Sequence, residues 1–544
     1  MADLVLGPMV RHAGRDEATV WVEADASCTV SVLGREARTF AVGGRHFAVV
    51  ALEGLTPGVA VPYEVRLDGV RRWPPPGSAS PPSVVRALPA GRRLRLLVGS
   101  CRVAAPEQPP YTASPDEDRR GLGPDAMRAL ARELPRTPAG EWPDLMLLLG
   151  DQVYVDAGSP ETRRFIRGRR ATRALLPVPV DFEEHARLYR EAWSDPPVRW
   201  LLSTVPSAMM FDDHEVHEGW NVSAAWLRER RGSARWSARA AAAIAAYWCY
   251  QHLGNLTPAE LRADALLAEV RAGPDGLPAL AAAACATARG CGPNFAFSRE
   301  LGPARLVVPD ARSRRVLNPR GRSILDGPSW EWLERELRGG EEHLLLASSI
   351  PVFLPAGLHD LESWSEAVGT GVWGAPGAAI GERLQRRLSL EHWAAFGGSF
   401  ARLLDRIAAV GSGRRGPAPA SILVLAGDVH HGSLTRVRFP EPTGVRSPVW
   451  QIVSSPLRNP LRRGVRIRLR VGGSRPFAAV MRLVAAAAGV PRRPARWRAV
   501  GHPVFANHVA TVAIDGPRAW VTIDAALPVE EGGGLRPALW AQLS

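Results

Sequence analysis

Two textures of hydrophobic and polar positions divide the chain. From Leu4 to about Pro89, short runs alternate apolar and polar residues, as in ATVWVEA (18–24), CTVSVLG (28–34) and HFAVVAL (46–52). This is the period-two pattern of strands with one buried face, at the spacing of a β-sandwich. LEGLTPGVAVPYEVRLDG (52–69) sets a Pro-Gly turn before a strand with Tyr63, Val65 and Leu67 on one face. WPPPGSASPPS (73–83) reads as a stiff linker. Beyond it the apolar runs become continuous: LRLLVGSCR, DLMLLLGDQVY, SAMMFDDHE, RLVVPDARS, HLLLASSIP and ILVLAGDVHH. Such runs predict strands buried on both faces. Each ends in a polar cluster, and α/β sheets place their chemistry at the carboxyl ends of strands. The Ala-rich segments 234–253 and 260–272 predict helices that cover the sheet or cap the site.

At 544 residues the chain exceeds one ordinary domain, and the change of texture predicts two: an all-β unit over 1–89 and a larger α/β domain over 90–544. The segment 52–69 resembles a fibronectin type III module. A 46% hydrophobic fraction with 22% charged residues excludes disordered and fibrous classes. No run reaches the ~20 apolar residues of a membrane span. The net charge is +14 and every positive side chain is arginine, which suits bidentate contact with an anionic substrate. Specific nucleic-acid binding is not expected from it. Five cysteines, at 28, 101, 249, 285 and 291, form no CxxC pair and suit a reducing compartment. MADLVLGPMVRHAG lacks the pattern of a secretory signal, so a cytoplasmic location is expected.

Three strand-end clusters carry the candidate chemistry. Gly150-Asp151-Gln152-Val153-Tyr154 allows a sharp turn that frees the Asp151 carboxylate to bridge two cations, with Tyr154 near enough to add a phenolate. Alone it also reads as a common turn. Phe211-Asp212-Asp213-His214-Glu215 sets two acids beside an imidazole, which supplies hard oxygen ligands and a proton donor; capping acids at a helix N-terminus give the same string. In Gly427-Asp428-Val429-His430-His431, the i, i+2 spacing puts Asp428 and His430 on one face of an extended segment. Gly99-Ser100-Cys101-Arg102 adds a thiol that is either a soft metal ligand or a buried structural cysteine. No GxSxG elbow is present.

The ordered set GSCR, GDQVY, DDHE and GDVHH resembles the alkaline phosphatase D (PhoD-like) family of metallophosphatases. The resemblance extends to VVPDARSRR (307–315) and PSWEWLEREL (328–337). It implies a metallophosphatase-type β-sandwich flanked by helices, preceded by a small all-β domain. It also implies phosphomonoesterase or phosphodiesterase activity, through in-line attack on phosphorus by metal-bound hydroxide. Fe(III) and Ca(II) are the implied cofactors, with Zn or Mn the other metals to consider. Cys101, Asp151 and Tyr154 would hold iron, and Asp151 would bridge to calcium. Asp213, Asp428 and His430 would complete the cluster, and His214 would protonate the leaving group. Arg312 and His431 are the expected substrate contacts; Arg314 and Arg458 could likewise clamp phosphate. Either Asn221 or Glu218 could serve the cluster.

Helical insertions are expected near 155–205, 222–296 and 456–501. The last mixes arginine with apolar residues, which suits either a helical cap or a weak contact with a membrane surface. A competing reading of the whole chain is an inert metallophosphatase-like binding protein.

Overall fold

The computed structural model describes residues 1–170, 178–231, 233–288, 292–318 and 321–544. Two mixed sheets stack face to face. The first contains, in spatial order, Ser207–Met209, Leu145–Leu148, Arg93–Gly99, His508–Asp515, Arg518–Ala526 and Leu535–Gln542. The second runs Phe297–Leu301, Ala304–Val308, His343–Ser348, Ser421–Ala426, Val449–Val453, Gly432–Arg438 and Arg496–Val504. The first sheet is parallel over its first three strands and antiparallel over the rest, whereas the second has a parallel centre and antiparallel margins.

Side-chain alternation explains the continuous apolar runs. Leu96, Val98, Leu145 and Leu147 meet Leu306, Leu345, Leu423 and Leu425 in a core between the sheets. The intervening Leu97, Met146 and Leu148 face the helices Ala126–Glu133, Phe182–Trp193 and Ala234–Tyr247. On the far side, Leu344, Leu346, Ile422 and Val424 pack against Gly327–Glu336 and Gly397–Gly411. The result is four layers, helix on sheet on sheet on helix. Every residue of Leu145–Leu148, His343–Ser348 and Ser421–Ala426 is buried because both faces of these strands are covered.

The N-terminal region is all-β, with two four-stranded sheets around Val10, Val20, Val30, Val50, Val65 and Trp73. The outer face of the sheet formed by Leu4–Ala13, Glu17–Ala24, Arg45–Glu53 and Phe40–Val42 does not meet water. Leu6, Met9, Trp21 and Phe47 join the helical core of the larger unit. The fully buried Arg11 donates to the backbone carbonyls of Ser207, Tyr250 and Gln251, and Trp21 Nε1 donates to the carbonyl of Cys249 at 2.9 Å. These carbonyls at 249–251 belong to a π-helical turn, Trp248–His252, that continues the helix Ala234–Tyr247. The Pro-rich segment is docked as well: Trp73 Nε1 donates to Ser83 and Trp200 Nε1 to the carbonyl of Pro81.

Several elements differ from expectation. The segment 260–272 is two helices, Pro258–Ala263 and Ala265–Ala272, because Asp264 caps the second through the Leu267 amide. The segment 456–501 holds helices Arg463–Gly472 and Arg475–Ala487, but its end enters the edge strand Arg496–Val504. The edge strand Leu535–Gln542 has too many exposed positions to stand out as an apolar run. Cys28, Cys101, Cys249 and Cys285 are free thiols, and Cys291 lies outside the described residues. No helix among the described residues is long and apolar enough to cross a membrane.

Burial also silences several imidazoles. His359 lies among Phe400 and Trp497, at ring distances of 4.7 and 4.9 Å, and its Nδ1 has no partner among the described residues. Burial, then Arg493 and Arg482, push it down to about 3. An unfolded chain takes up this proton near pH ~6.5, whereas the folded one does not until far lower pH. Its stabilising contribution is therefore full above that range and shrinks as pH falls. His359→Phe is expected to reduce the loss of unfolding free energy between about pH 7 and 5 by ~2 kcal/mol. Urea titrations at the two pH values check this, and an unchanged acid slope would contradict it.

Candidate metal centre

Strand register brings the polar clusters together. Gly99 is level with Leu148, and Leu148 with Met209, so the three strands of the first sheet end side by side. In the second sheet Ala426 is level with Ser348 and Val453. The two edges meet so closely that a Cβ on Gly427 would lie 2.5 Å from Ser100 Oγ. Gly150, at φ +102°, leaves no more space: a Cβ there would be 2.5 Å from the Cβ of Asp212. Only glycine fits both positions.

The turns leaving these edges are strained. Among the described residues eight non-glycine residues have positive φ, and five are here: Cys101, Asp151, Asn221, Asp428 and His430. That backbone costs up to ~1–3 kcal/mol, least for aspartate and asparagine, and such residues cluster at functional sites. The left-handed backbone turns consecutive side chains inward, so Cys101, Asp151 and His430 form one group, Asp151, Asp213 and His214 a second, and Asp151, Asp212, Asp213 and Asp428 a third. Within each group the potential ligand atoms lie within 4.8 Å of one another. Asp151 belongs to all three.

Around Asp151 the contacts are short. Its Oδ2 accepts from Cys101 Sγ at 3.3 Å and from the Tyr154 hydroxyl at 3.1 Å. Burial, then the negative charge of Asp151, hold both the thiol and the phenol well above their usual ranges. Asp151 itself is pushed up to about 7 by burial, against the pull of His214 and with the repulsion of Asp213 and Asp428. His214 stays protonated well above the usual imidazole range: burial opposes this, but Asp151, Asp213 and a 3.2 Å contact with Asp156 prevail. Its ring centroid lies 4.3 Å from that of Tyr154. His430 is pushed down to about 4 by burial and so is neutral, the form that ligates.

These residues suit a cation. Asp151 Oδ1, Asp212 Oδ2, Asp213 Oδ1 and Asn221 Oδ1 are buried with no hydrogen-bond partner among the described residues. Buried acceptors are normally satisfied, so unpaired carboxylate oxygens converging from separate turns fit a multivalent ion. The thiol and phenol beside Asp151 make that end suitable for a transition metal, while the carboxylates and Asn221 suit a harder ion.

Arg312 sits differently from a substrate clamp. It is fully buried, and its guanidinium pairs with Asp212, with Glu391 at 2.8 Å and with Asp428 at 3.1 Å. It braces the carboxylates from behind. Arg314 pairs with Asp326, and the buried Arg458 donates to the carbonyls of Ala105 and Pro106. Neither has a guanidinium left for phosphate. His431 is half-buried at the rim beside Phe505, with Nδ1 against the carbonyl of Val429. Between the two candidates after DDHE, Asn221 is buried, donating Nδ2 to the carbonyl of Arg312 at 3.3 Å, whereas Glu218 is exposed.

Three supports were not legible in the motifs. Asp212 caps the turn Asp213–Glu215, so the helix-capping reading of DDHE describes this acid, and capping leaves its Oδ2 without a partner among the described residues. Glu215 accepts from the amides of Gln152 and Asp212, and Gln251 Nε2 donates to it at 3.0 Å. Burial, then Asp151, push Glu215 up to about 8, with Gln251 opposing. His392 bridges Glu362 at 2.6 Å and Asp428 at 3.2 Å; these acids overcome its burial and raise it to about 10. EHW (391–393) follows no apolar strand, so nothing in the pattern marked it.

A two-sheet sandwich with a carboxylate-rich centre at its strand ends defines a metallophosphatase-type fold. Comparison with known families agrees: the model of the family described as PhoD-like phosphatase matches residues 123–465, and the chain belongs to that family. As such it is a metal-dependent phosphatase. Residues 1–85 match a family described as a domain of unknown function, DUF7800. Among solved structures, one titled "Structure of PhoD" superposes with a TM-score of 0.62 at 14% identity, covering 100% of this chain and 92% of that one. A purple acid phosphatase from yellow lupin (Lupinus luteus) seeds gives 0.46 at 10% identity, over 97% of this chain and 73% of that one. No curated protein matches the chain.

Removing the brace tests the site's charge balance. Arg312→Met leaves Asp212 buried without its cation and Glu391 with Arg315 alone, and is expected to destabilise the metal-free protein by ~3–5 kcal/mol. Urea unfolding measures it; a loss below ~1 kcal/mol would show that Arg312 does not balance these acids.

Proposed function

We propose that the protein hydrolyses phosphomonoesters or phosphodiesters at a cluster of metals bridged by Asp151. The observation that carries this reading is the membership of Asp151 in three ligand groups, beside four buried oxygens without partners. Cys101, Asp151 and Tyr154 would hold Fe(III), with Asp151 bridging to Ca(II); Asp213, Asp428 and His430 would complete the cluster, with Asn221 an added oxygen ligand. Zn or Mn would use the same donors. When bound, the cations supply Lewis-acid charge and a hydroxide nucleophile near neutral pH.

The chain's own residues do the rest. Arg312 and His392 fix the carboxylate of Asp428 from two sides. Glu215 holds the backbone of Asp212 and Gln152, so the two acidic turns keep their spacing. His214 is oriented by Asp156 and protonated, which suits donation of a proton to the departing oxygen. His431, half-buried beside Phe505, would meet substrate oxygens. The reading as an inert binding protein has less support, because nothing in it requires unsatisfied carboxylates to be held in strained turns.

If His214 is the acid, His214→Ala should lose ~100-fold or more in kcat/KM on an alkyl phosphoester and much less on a p-nitrophenyl ester, whose leaving group needs no proton. Equal losses on both would remove His214 from that role. Asp151→Asn should abolish hydrolysis and the metal-induced rise in Tm, yet leave the metal-free Tm equal or higher, because one repelling carboxylate is gone. A variant that retains bound metal and activity would overturn the bridging role. Tyrosinate ligation adds an optical check, since Tyr154→Phe should lose any visible charge-transfer band of the iron-loaded protein.

A further inference from the structure

The hairpin of helices Arg463–Gly472 and Arg475–Ala487 is the most one-sided surface of the molecule. Residues 454–501 contain twelve arginines and no acid, so they supply +12 of a total charge of +14. Four of these arginines are engaged: Arg458 on buried carbonyls, Arg466 with Asp116, and Arg482 and Arg493 with Asp360. The other eight have no carboxylate within ion-pair distance among the described residues.

Large apolar side chains lie exposed among them. Ile467, Val471, Val480 and Leu483 are 49, 55, 57 and 73% exposed. Along the second helix Ala479, Val480, Leu483, Ala486 and Ala487 are all exposed and recur at intervals of three and four, one continuous stripe. The opposite face is seated: Met481 and Ala485 are buried. Gly357 and Gly472 let the ring of Phe477 and the side chain of Leu358 approach closely where the hairpin meets the helix Ala356–Gly369. The stripe is therefore an outward surface of a well-packed element.

We propose that this face docks on anionic phospholipid bilayers, with the unpaired arginines at the phosphates and Ile467, Val471, Val480 and Leu483 in the acyl boundary. Arginine around an aliphatic stripe matches both layers of such a surface. A nucleic acid would use the arginines but not the aliphatic groups, and it would favour exposed aromatic rings for stacking. The aromatic rings here are turned inward: Phe477 packs at Gly357, and Trp497 packs on Phe353 and Phe400. The docking face also borders the metal centre. The guanidinium of Arg470 lies 5.4 Å over the ring of Phe505, whose centroid is 6.0 Å from that of His431.

The test is sedimentation of the full chain with vesicles of phosphatidylcholine alone or with roughly a third phosphatidylglycerol, at low and high salt. The chain is expected to bind the mixed vesicles at low salt and not the neutral ones. The pairs Arg468→Glu with Arg475→Glu, and Val480→Asp with Leu483→Asp, should each weaken binding ~10-fold or more, with Tm and hydrolysis of a soluble phosphoester unchanged. Absence of binding to mixed vesicles, or binding insensitive to both pairs, would overturn the proposal. So would single-stranded RNA that binds as tightly as vesicles and is indifferent to the Val480 and Leu483 changes, which would mark a nucleic-acid surface.

Discussion

Buried negative charge is the constraint around which this protein is arranged. Asp151, Asp212, Asp213 and Asp428 converge where the two sheets meet, in a region closed to water on most sides. Repulsion at such distances in a low-dielectric interior has to be balanced, and within the chain the nearby cations are Arg312, His214 and His392. Those three leave several oxygens unsatisfied. The remaining demand is for multivalent positive charge, so the protein acquires its function from an interaction that its own side chains leave incomplete.

The sequence made the inner architecture legible because alternation is invisible in a strand covered on both faces, and continuous apolar runs remain. The ends of those runs marked Cys101, Asp151, Asp213, Asp428 and His430, and register does bring them together. What stayed hidden reaches the site across long chain separations. Gln251 approaches from a helix, Glu391 and His392 from a loop, and Arg312 from behind the acids rather than through the pocket. A motif reports which groups stand at a strand end; it does not report which buried neighbour has already claimed a guanidinium. Edge strands were obscured for the opposite reason, since exposure dilutes the apolar pattern that would announce them.

The N-terminal unit is tied to this centre by a traceable route. A π-turn leaves the carbonyls of Cys249, Tyr250 and Gln251 for donors outside the helix, and Trp21 and Arg11 supply them. The same turn carries Gln251, whose amide meets Glu215, which holds the amides of Gln152 and Asp212. The shared core around Trp21 and Phe47 thus sets the position of a turn two contacts away from the acidic cluster.

The left-handed turns at Cys101, Asp151, Asn221, Asp428 and His430 define a narrow range of replaceable chemistry. Glycine, asparagine and aspartate adopt that backbone at little cost, whereas valine, isoleucine and threonine are excluded by the shape of the main chain before their ligand properties matter. On the proposed ligand set, a change of metal preference is therefore more accessible through Tyr154, Asp213 or the residues that brace them, whose backbones are ordinary, than by exchanging the residues at the turns. The geometry that gathers the donors also restricts how this centre can be remodelled.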